Sequence, residues 1–566
     1  MAYRVVIIGG GASGCAAADR LAALLPASDV SITLVEASDR IGGRTLSVPL
    51  ASHPGTSIDL GGQWIGARQD VALQLVRELG LTLVPQYHAG KRVLALGDVI
   101  RTYTGLIPNA SWSVLVDAQL TLALIACLRL LLWLLPASAL ARWADGTSVA
   151  QLSARVMWTA GARALVRSVV HGLFGVEPED LSLNAFCRYL QASGGVEPMT
   201  EVGPGTLQCW TVLGGTQQLS QGLLARAGPA RVTTLLGHKV TGIRHARSSG
   251  STGAGAAAPI TLTCLTGLEL AADFVVMALP PSLAHSIAFS PPLDPGRTAL
   301  LAGARMGGII KACAVYDTAF WRAEGFSGEA IADTACDSLS PVFNTFDNCL
   351  PPSAGTPSQP LPAAGPAAGI PLAQPTPHAS APALVLFING ARALEWSSRP
   401  AEERKGVVLA QLARWFGPRA LSPVEYVEKD WVADPYTRGC PIASYPAALL
   451  TEYGLPRALG EACWPLEAGA AAGHRVHWAG TEAAVVGTGF IDGALRAGQA
   501  AAEGVAFAVA SVRRGEQEGG RGGGLAGLPP LLPQATLNPT AVSMRQVDRG
   551  LAEPSSLKES LTTGAK

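Results

Sequence analysis

Arg4–Arg44 reads RVVIIGGGASGCAAADRLAALLPASDVSITLVEASDRIGGR, and this stretch decides the fold. It opens on an apolar β-type run, Val5–Ile8. Gly9, Gly11 and Gly14 follow in GxGxxG register, and an alanine-rich helical pattern then runs to about Leu25. A second β-type run, Ile32–Val35, ends on Glu36. The unit is strand, loop, helix, strand. Gly9 permits the tight turn, Gly11 lets backbone approach a pyrophosphate, and Gly14 lets helix and strand pack closely. The helix start carries N–H groups and partial positive charge, which suit phosphate. Glu36 lies 22 residues past Gly14, near the ~20 of a ribose-binding acid. A bare glycine-rich turn that holds no nucleotide would not need strand, helix and acid in register.

At 566 residues the chain is too long for one core, so two or more domains are expected. Apolar residues make up 48% and charged residues 15%, a compact globular composition. Lys+Arg and Asp+Glu both number 42, so net charge gives no support to nucleic acid as a partner. The ten cysteines are scattered, with neither a CxxC pair nor metal-ligand spacing. No metal is expected, and the thiols read as reduced and mostly buried. The first strand begins within a few residues of Met1, which leaves no room for a signal or transit peptide. A cytoplasmic protein is the expectation.

Beyond Glu36 the unit continues as Ala37–Arg44 with a second glycine pair, Gly42-Gly43, and later as Ile58-Asp59-Leu60-Gly61-Gly62-Gln63-Trp64. The glycine pair adds another close backbone approach, and Arg44 a planar cation able to pair bidentately with phosphate. NAD dehydrogenases do not need this addition. It resembles the flavin-containing amine oxidases, the monoamine oxidase family, in which this segment grips the FAD pyrophosphate. The resemblance covers roughly Arg4–Val505, apart from two inserts and a variable helical region. It implies an α/β fold in which a Rossmann-type FAD-binding domain (1–82, 213–300 and 434–511) is interleaved with an α+β substrate domain (83–212 and 301–433). It also implies FAD contacts from Gly9, Gly11, Ala12, Ser13, Gly14, Glu36, Gly43, Arg44, Gly62, Gln63, Val240, Trp431, Tyr436, Cys440, Gly480, Glu482, Gly489, Phe490 and Ile491.

Along the chain, Val71–Leu79 has helical periodicity and stops at Gly80. Val114–Leu135, VLVDAQLTLALIACLRLLLWLL, is long enough to cross a bilayer. Asp117, Gln119 and Arg129 interrupt it and Pro136 ends it, so a buried or half-buried helix is expected, with peripheral membrane contact as the alternative. Ser182–Ala192 reads as a helix. Arg231–Val240 and Phe274–Leu279 are β-type runs, with Ser248–Ala258 a flexible loop between them. Gly307–Tyr316 and Leu384–Ile388 are strands, and Glu402–Trp415 is helical. Leu350–Pro382, rich in Pro and Ala, is expected to be a disordered low-complexity insert, and 512–566 a disordered tail. Membrane-bound monoamine oxidases carry a C-terminal membrane helix; this chain ends without such a run.

Trp431, Tyr436 and Cys440 stand in the family's W-x4-Y-x3-C spacing, where the cysteine forms a thioether to the flavin 8α-methyl group. By itself a cysteine is more often a small buried hydrophobe, and Pro441 stands where the monoamine oxidases have tyrosine, so noncovalent FAD stays open. The family sets two aromatic rings before the flavin. Here those positions read Pro441 and Phe490, so the two-ring cage is broken. Gln208 and Phe387 fall on positions lining the family's substrate cavity, against plainer readings as a surface glutamine and a core phenylalanine. Lys311 falls on the lysine that holds a water to flavin N5, against a lysine snorkelling from a strand edge. Strand alternation places it on one face with Ile309, Cys313 and Val315, where an ammonium needs a partner, a water or deprotonation.

The resemblance implies a flavin enzyme that oxidises a small amine, first of all a primary amine, to aldehyde and ammonia. O2 takes the electrons and yields H2O2, with Lys311, Phe490 and Gln208 at the reacting end. No acidic cluster marks a polyamine site. The rivals are a desaturase or protoporphyrinogen oxidase-like enzyme acting on a lipophilic substrate, and a flavoprotein kept as a scaffold. Oligomeric state is left open.

Overall fold

The computed structural model describes residues 2–96, 99–105, 110–200, 202–245, 259–333, 340–351, 358–360, 366–373, 381–450, 463–465 and 474–518. Strand β1, Tyr3–Ile8, leads into helix α1, Ala12–Leu24, and strand β2, Val30–Val35. Val5–Ile8 are all buried, because β1 is central in a parallel sheet with both faces covered. That sheet runs Val232–Leu235, β2, β1, Phe274–Met277, His474–Trp478 and Cys463–Pro465. Its pairs are parallel except the last. Stretches far apart in sequence therefore build one sheet, whose carboxyl ends form a common rim. Ala16, Ala17 and Ala18 let α1 lie close to it. The final helix, Ile491–Glu518, crosses α1 at Gly498, where a Cβ would run into the Ser13 carbonyl.

A second, seven-stranded sheet runs Glu425–Asp430, Ile309–Val315, Ala383–Asn389, Asn344–Asp347, Phe326–Asp333, Lys91–Leu96 and Val99–Tyr103. Ile309–Val315 is buried throughout and alternates as expected. Ile310, Ala312 and Ala314 face one apolar cluster, and Cys313 and Val315 face another. Between these sheets lies a five-stranded sheet of short strands that includes Trp64–Ile65, Leu83–Pro85 and Trp210–Val212.

Several expectations need correction. Ser358–Pro360 and Pro371–Ala373 pair with each other, and Leu372 pairs with Leu83, so part of the 350–382 insert is built into the short-stranded sheet. Ile370 and Ala373 are fully buried; four residues, Ile370–Ala373, are too few to show a period among prolines and alanines. The run Arg231–Val240 is two strands, broken at Gly237, whose φ is +74°. The helix Trp112–Leu134 buries only a stripe of its surface, less than the expected buried or half-buried helix. The expected loop 248–258 and the chain past residue 518 lie outside the described residues. The chain divides into a unit Met1–Ser511 and a short unit Val512–Lys566.

Candidate functional site

The carboxyl rim of the parallel sheet gathers the glycine motif. Gly9 has φ +106°, and a side chain there would strike the Ala278 carbonyl; one at Gly14 would strike the Gly9 carbonyl. Gly11 differs. The nearest protein atoms to a Cβ there, Gly42 O and Gly43 Cα, are both 3.9 Å away, so protein packing does not demand a glycine. The Gly42 N–H donates to Gly10 O at 2.8 Å, which lays the second glycine pair beside the first. Helix α1 starts at Gly11 with no side-chain cap. Glu36 is buried and turned toward this loop, accepting the Gly10 N–H at 2.6 Å and the Ser38 N–H and hydroxyl at 2.8 Å. Ser13 Oγ accepts the Gly480 N–H at 2.8 Å. The His238 N–H donates to the Glu36 carbonyl at 2.9 Å and brings the chain into Val240 at the same end. An uncapped helix start, an open glycine and a buried acid fit the diphosphate and ribose of a dinucleotide.

Arg44 corrects its expected role in part. Its fork meets Glu482 at 2.6 and 3.0 Å and the Pro441 carbonyl at 2.9 Å, so the bidentate pair goes to a buried carboxylate rather than to phosphate. It ties Gly43-Arg44 to Glu482 and to the residue after Cys440. Gly62 faces Ile491, whose Cδ1 lies 3.8 Å from where a Cβ on the glycine would sit.

Lys311 is 2% exposed, which excludes a snorkelling side chain. Its Nζ donates to Gly61 O at 2.8 Å and to Gln63 Oε1 at 2.6 Å. It lies 5.2 Å from the Phe387 ring centre and 5.7 Å from that of Trp64. Phe387 is directly opposite Lys311 in the antiparallel pair. Burial pushes the lysine down to about 8, against the pull of Asp59, Cys313 and Cys440. Burial pushes the Asp59 carboxyl up to about 6, against the Ser47 hydroxyl, Lys311 and Thr216. Between these values the lysine carries a proton and the aspartate does not. An ammonium has three donors, and the third finds no protein acceptor among the described residues.

The Trp431–Cys440 loop is pinned at both ends. Trp431 is buried and its indole N–H donates to Leu60 O at 2.8 Å. The Cys440 N–H donates to Gly307 O at 2.9 Å. Cys440 is half-buried, and burial pushes its thiol up to about 12 against Arg44 and Lys311. Tyr436 lies outermost of the three, 38% exposed.

Phe490 does have an aromatic neighbour. Its ring stacks on Tyr189 at 6.1 Å and 18°, and Tyr189 packs on Phe174 at 4.5 Å. Tyr189 comes from the helix Leu183–Ser193 and also leaves Gly489 no room for a side chain. Thr481 Oγ1 accepts the Gly489 N–H at 2.7 Å and donates to Phe490 O at 3.0 Å, fixing that turn. Gln208 is half-buried with its Oε1 buried and unpartnered, which a plain surface glutamine would not show. It is bridged to Val202, which packs beside Phe346, Trp64 and Phe387. Among the described residues no group of three or more His, Cys, Asp or Glu could hold a metal.

Sequence reading missed Tyr189, Asp59 and Trp64. Asp59 had a signal, an acid inside the apolar run Ile58–Leu60. Trp64 closes the run Ile58–Trp64, where nothing local assigns it a role. Tyr189 had none, since only tertiary packing brings it to Phe490.

Comparison with known proteins agrees with this geometry. The family described as flavin containing amine oxidoreductase matches residues 12–506. A Mycobacterium tuberculosis protein named as a flavin-containing monoamine oxidase is 34% identical over 505 residues, spanning 89% of this chain and 96% of that one. Cyclohexylamine oxidase from Brevibacterium oxydans superposes with a TM-score of 0.72 at 27% identity, over 89% of this chain and 99% of that one. A putrescine oxidase bound to putrescine gives 0.72 at 25%, with the same coverage.

Proposed function

The chain belongs to the flavin-containing amine oxidoreductase family, whose members use FAD, and on that premise we propose that it oxidises a small primary amine with O2. The overall change converts the amine, O2 and water into aldehyde, ammonia and H2O2. The two-electron chemistry, uptake of the hydride equivalent from the amine's α-carbon and its return to O2, would be supplied by bound FAD.

The glycine loops, Glu36 and the start of α1 hold the dinucleotide. Gly61 and Gln63 place a backbone carbonyl and a side-chain amide beside Lys311. The third lysine N–H holds a water at the reacting end, where its proton can be given or taken. Phe490 and Tyr189 form an apolar wall that orients the substrate and keeps bulk water out, and Gln208 Oε1 offers a buried acceptor to the amine N–H. The observation that carries this reading is Lys311, an ammonium enclosed by two carbonyl-type oxygens and two aromatic rings with one donor left over. A buried ammonium with a donor left over needs one more acceptor, and a water at the reacting end supplies it.

Amine-dependent O2 uptake with stoichiometric H2O2 from benzylamine, tyramine or putrescine tests the reading. A flavin-loaded protein that consumes no O2 with any primary amine contradicts it. The W-x4-Y-x3-C spacing of Trp431, Tyr436 and Cys440 supports a thioether from Cys440 to the flavin as part of this reading. After acid denaturation the flavin should stay with the polypeptide, and Cys440→Ala should release it.

A further inference from the structure

The helix Trp112–Leu134 has two unlike faces. Asp117, Thr121, Ile125, Leu128 and Leu132, spaced by three or four residues, are buried against the body. The opposite face carries Trp112, Val116, Leu120, Leu130, Leu131 and Leu134, all exposed and none charged; Trp112 is 83% and Leu120 58% exposed. The buried stripe runs from Asp117 to Leu132, roughly 24 Å of the helix's ~35 Å at 1.5 Å per residue. It holds the helix flat on the protein, so the helix does not span a bilayer. An exposed apolar face of this extent marks a contact surface.

Two further observations say what covers it. Among the described residues the exposed tryptophans are Trp112, Trp143 and Trp158, and all three flank this helix. Trp112 opens it. Trp158 precedes Thr159, whose N–H and hydroxyl both donate to Asp117 at 2.7 Å. Trp143 lies on the short helix Ala139–Asp145 just past Pro136. Indole rings settle where apolar and wet layers meet. Charge is the second observation. Between Val99 and Val176 the chain has six arginines and only two acids, Asp117 and Asp145, and both acids are fully buried. Arg142 and Arg155 are exposed, beside Trp143 and near Trp158. A twofold dimer through this face would bring these arginines into an interface where the segment offers no exposed acid to pair them.

We propose that the outer face of Trp112–Leu134, with its flanking tryptophans and arginines, docks the protein flat on an anionic lipid bilayer. The leucines enter the acyl boundary, the indoles sit at headgroup level, and Arg142 and Arg155 meet lipid phosphate. The test is co-sedimentation of the full-length flavin-loaded protein with phosphatidylcholine vesicles, with and without phosphatidylglycerol. Binding should be at least tenfold stronger with phosphatidylglycerol and should weaken with salt. Leu120→Asp with Leu131→Asp should lower it at least tenfold at unchanged flavin content. Arg142→Glu with Arg155→Glu should remove the anionic preference, since each arginine contributes about fivefold. No binding to either vesicle overturns the proposal, as does binding unchanged in the leucine variant. A wild-type dimer that the leucine substitutions dissolve overturns it too, because a second copy would then cover the face.

Discussion

Lys311 and Leu120 both sit against the usual partition, the lysine inside and the leucine in water, and the two regions resolve this differently. Around Lys311 the protein supplies the partners itself, Gly61 O, Gln63 and two aromatic rings, and leaves one donor over. Around Leu120 the protein supplies nothing on the outer side, and the neighbouring charges are of one sign. A misplaced group with nearly complete partners points to chemistry in a closed site. A row of misplaced groups with no partners points to a surface that something else covers. Substitutions in the first region should therefore damage catalysis, and those in the second should leave it intact.

The largest expected effect is at the glycine loop. Gly11→Val adds a side chain where the protein has room, so the variant should fold yet purify colourless and ignore added FAD. Gly14→Ala meets the Gly9 carbonyl and should instead lower thermal stability. Loss of flavin in both with equal stability would erase that distinction.

Lys311→Met should keep the fold and the flavin and lose activity by about 10²–10⁴-fold, the range of a positioned proton-handling group. The lysine also gives a pH signature. Its folded value, about 8, lies below the ordinary 10.5. Its contribution to stability is thus full above 10.5 and is lost as pH falls through about 8. Melting temperatures should show the wild type gaining on the Met variant as pH rises through this window; a gap that shrinks would contradict the burial argument.

Glu482→Ala strands Arg44 without its carboxylate. Breaking such a pair costs about 3–5 kcal/mol, read by denaturant melts, and the Cys440–Pro441 turn should loosen with it. Ile370→Ala should cost about 2–4 kcal/mol because the side chain is fully buried; a loss under half a kilocalorie would return that stretch to a surface insert. Smallest of all, Leu120→Asp should change stability by no more than about 0.5 kcal/mol and leave amine turnover alone.

The sequence carried the site's frame wherever local chemistry set it. β1, α1 and β2 follow from an apolar run, a glycine register and an acid on time, and the alternation of Ile309–Val315 follows from period two. What it could not carry was decided by contacts distant in sequence. Pro441 stands where the aromatic cage would have its other ring, and the ring that stacks on Phe490, Tyr189, arrives on a helix some 300 residues earlier. Arg44 looked like a phosphate fork, and its partner, Glu482, comes from the far end of the chain. Ile370 was hidden in low complexity, and a composition that fits a buried helix says nothing of how little of Trp112–Leu134 the body covers.

The central claim is that a primary amine is oxidised at a flavin beside Lys311. Anaerobic stopped-flow mixing of the flavin-loaded protein with benzylamine, tyramine and putrescine reads it most directly, followed by a pulse of O2 and repeated with Lys311→Met. At least one amine should bleach the wild-type flavin within a turnover and O2 should restore the colour. In the variant at least one of these two phases should slow by a hundredfold or more. A flavin that no amine bleaches, or two phases in the variant within about threefold of wild type, a barrier change under ~1 kcal/mol, would contradict it.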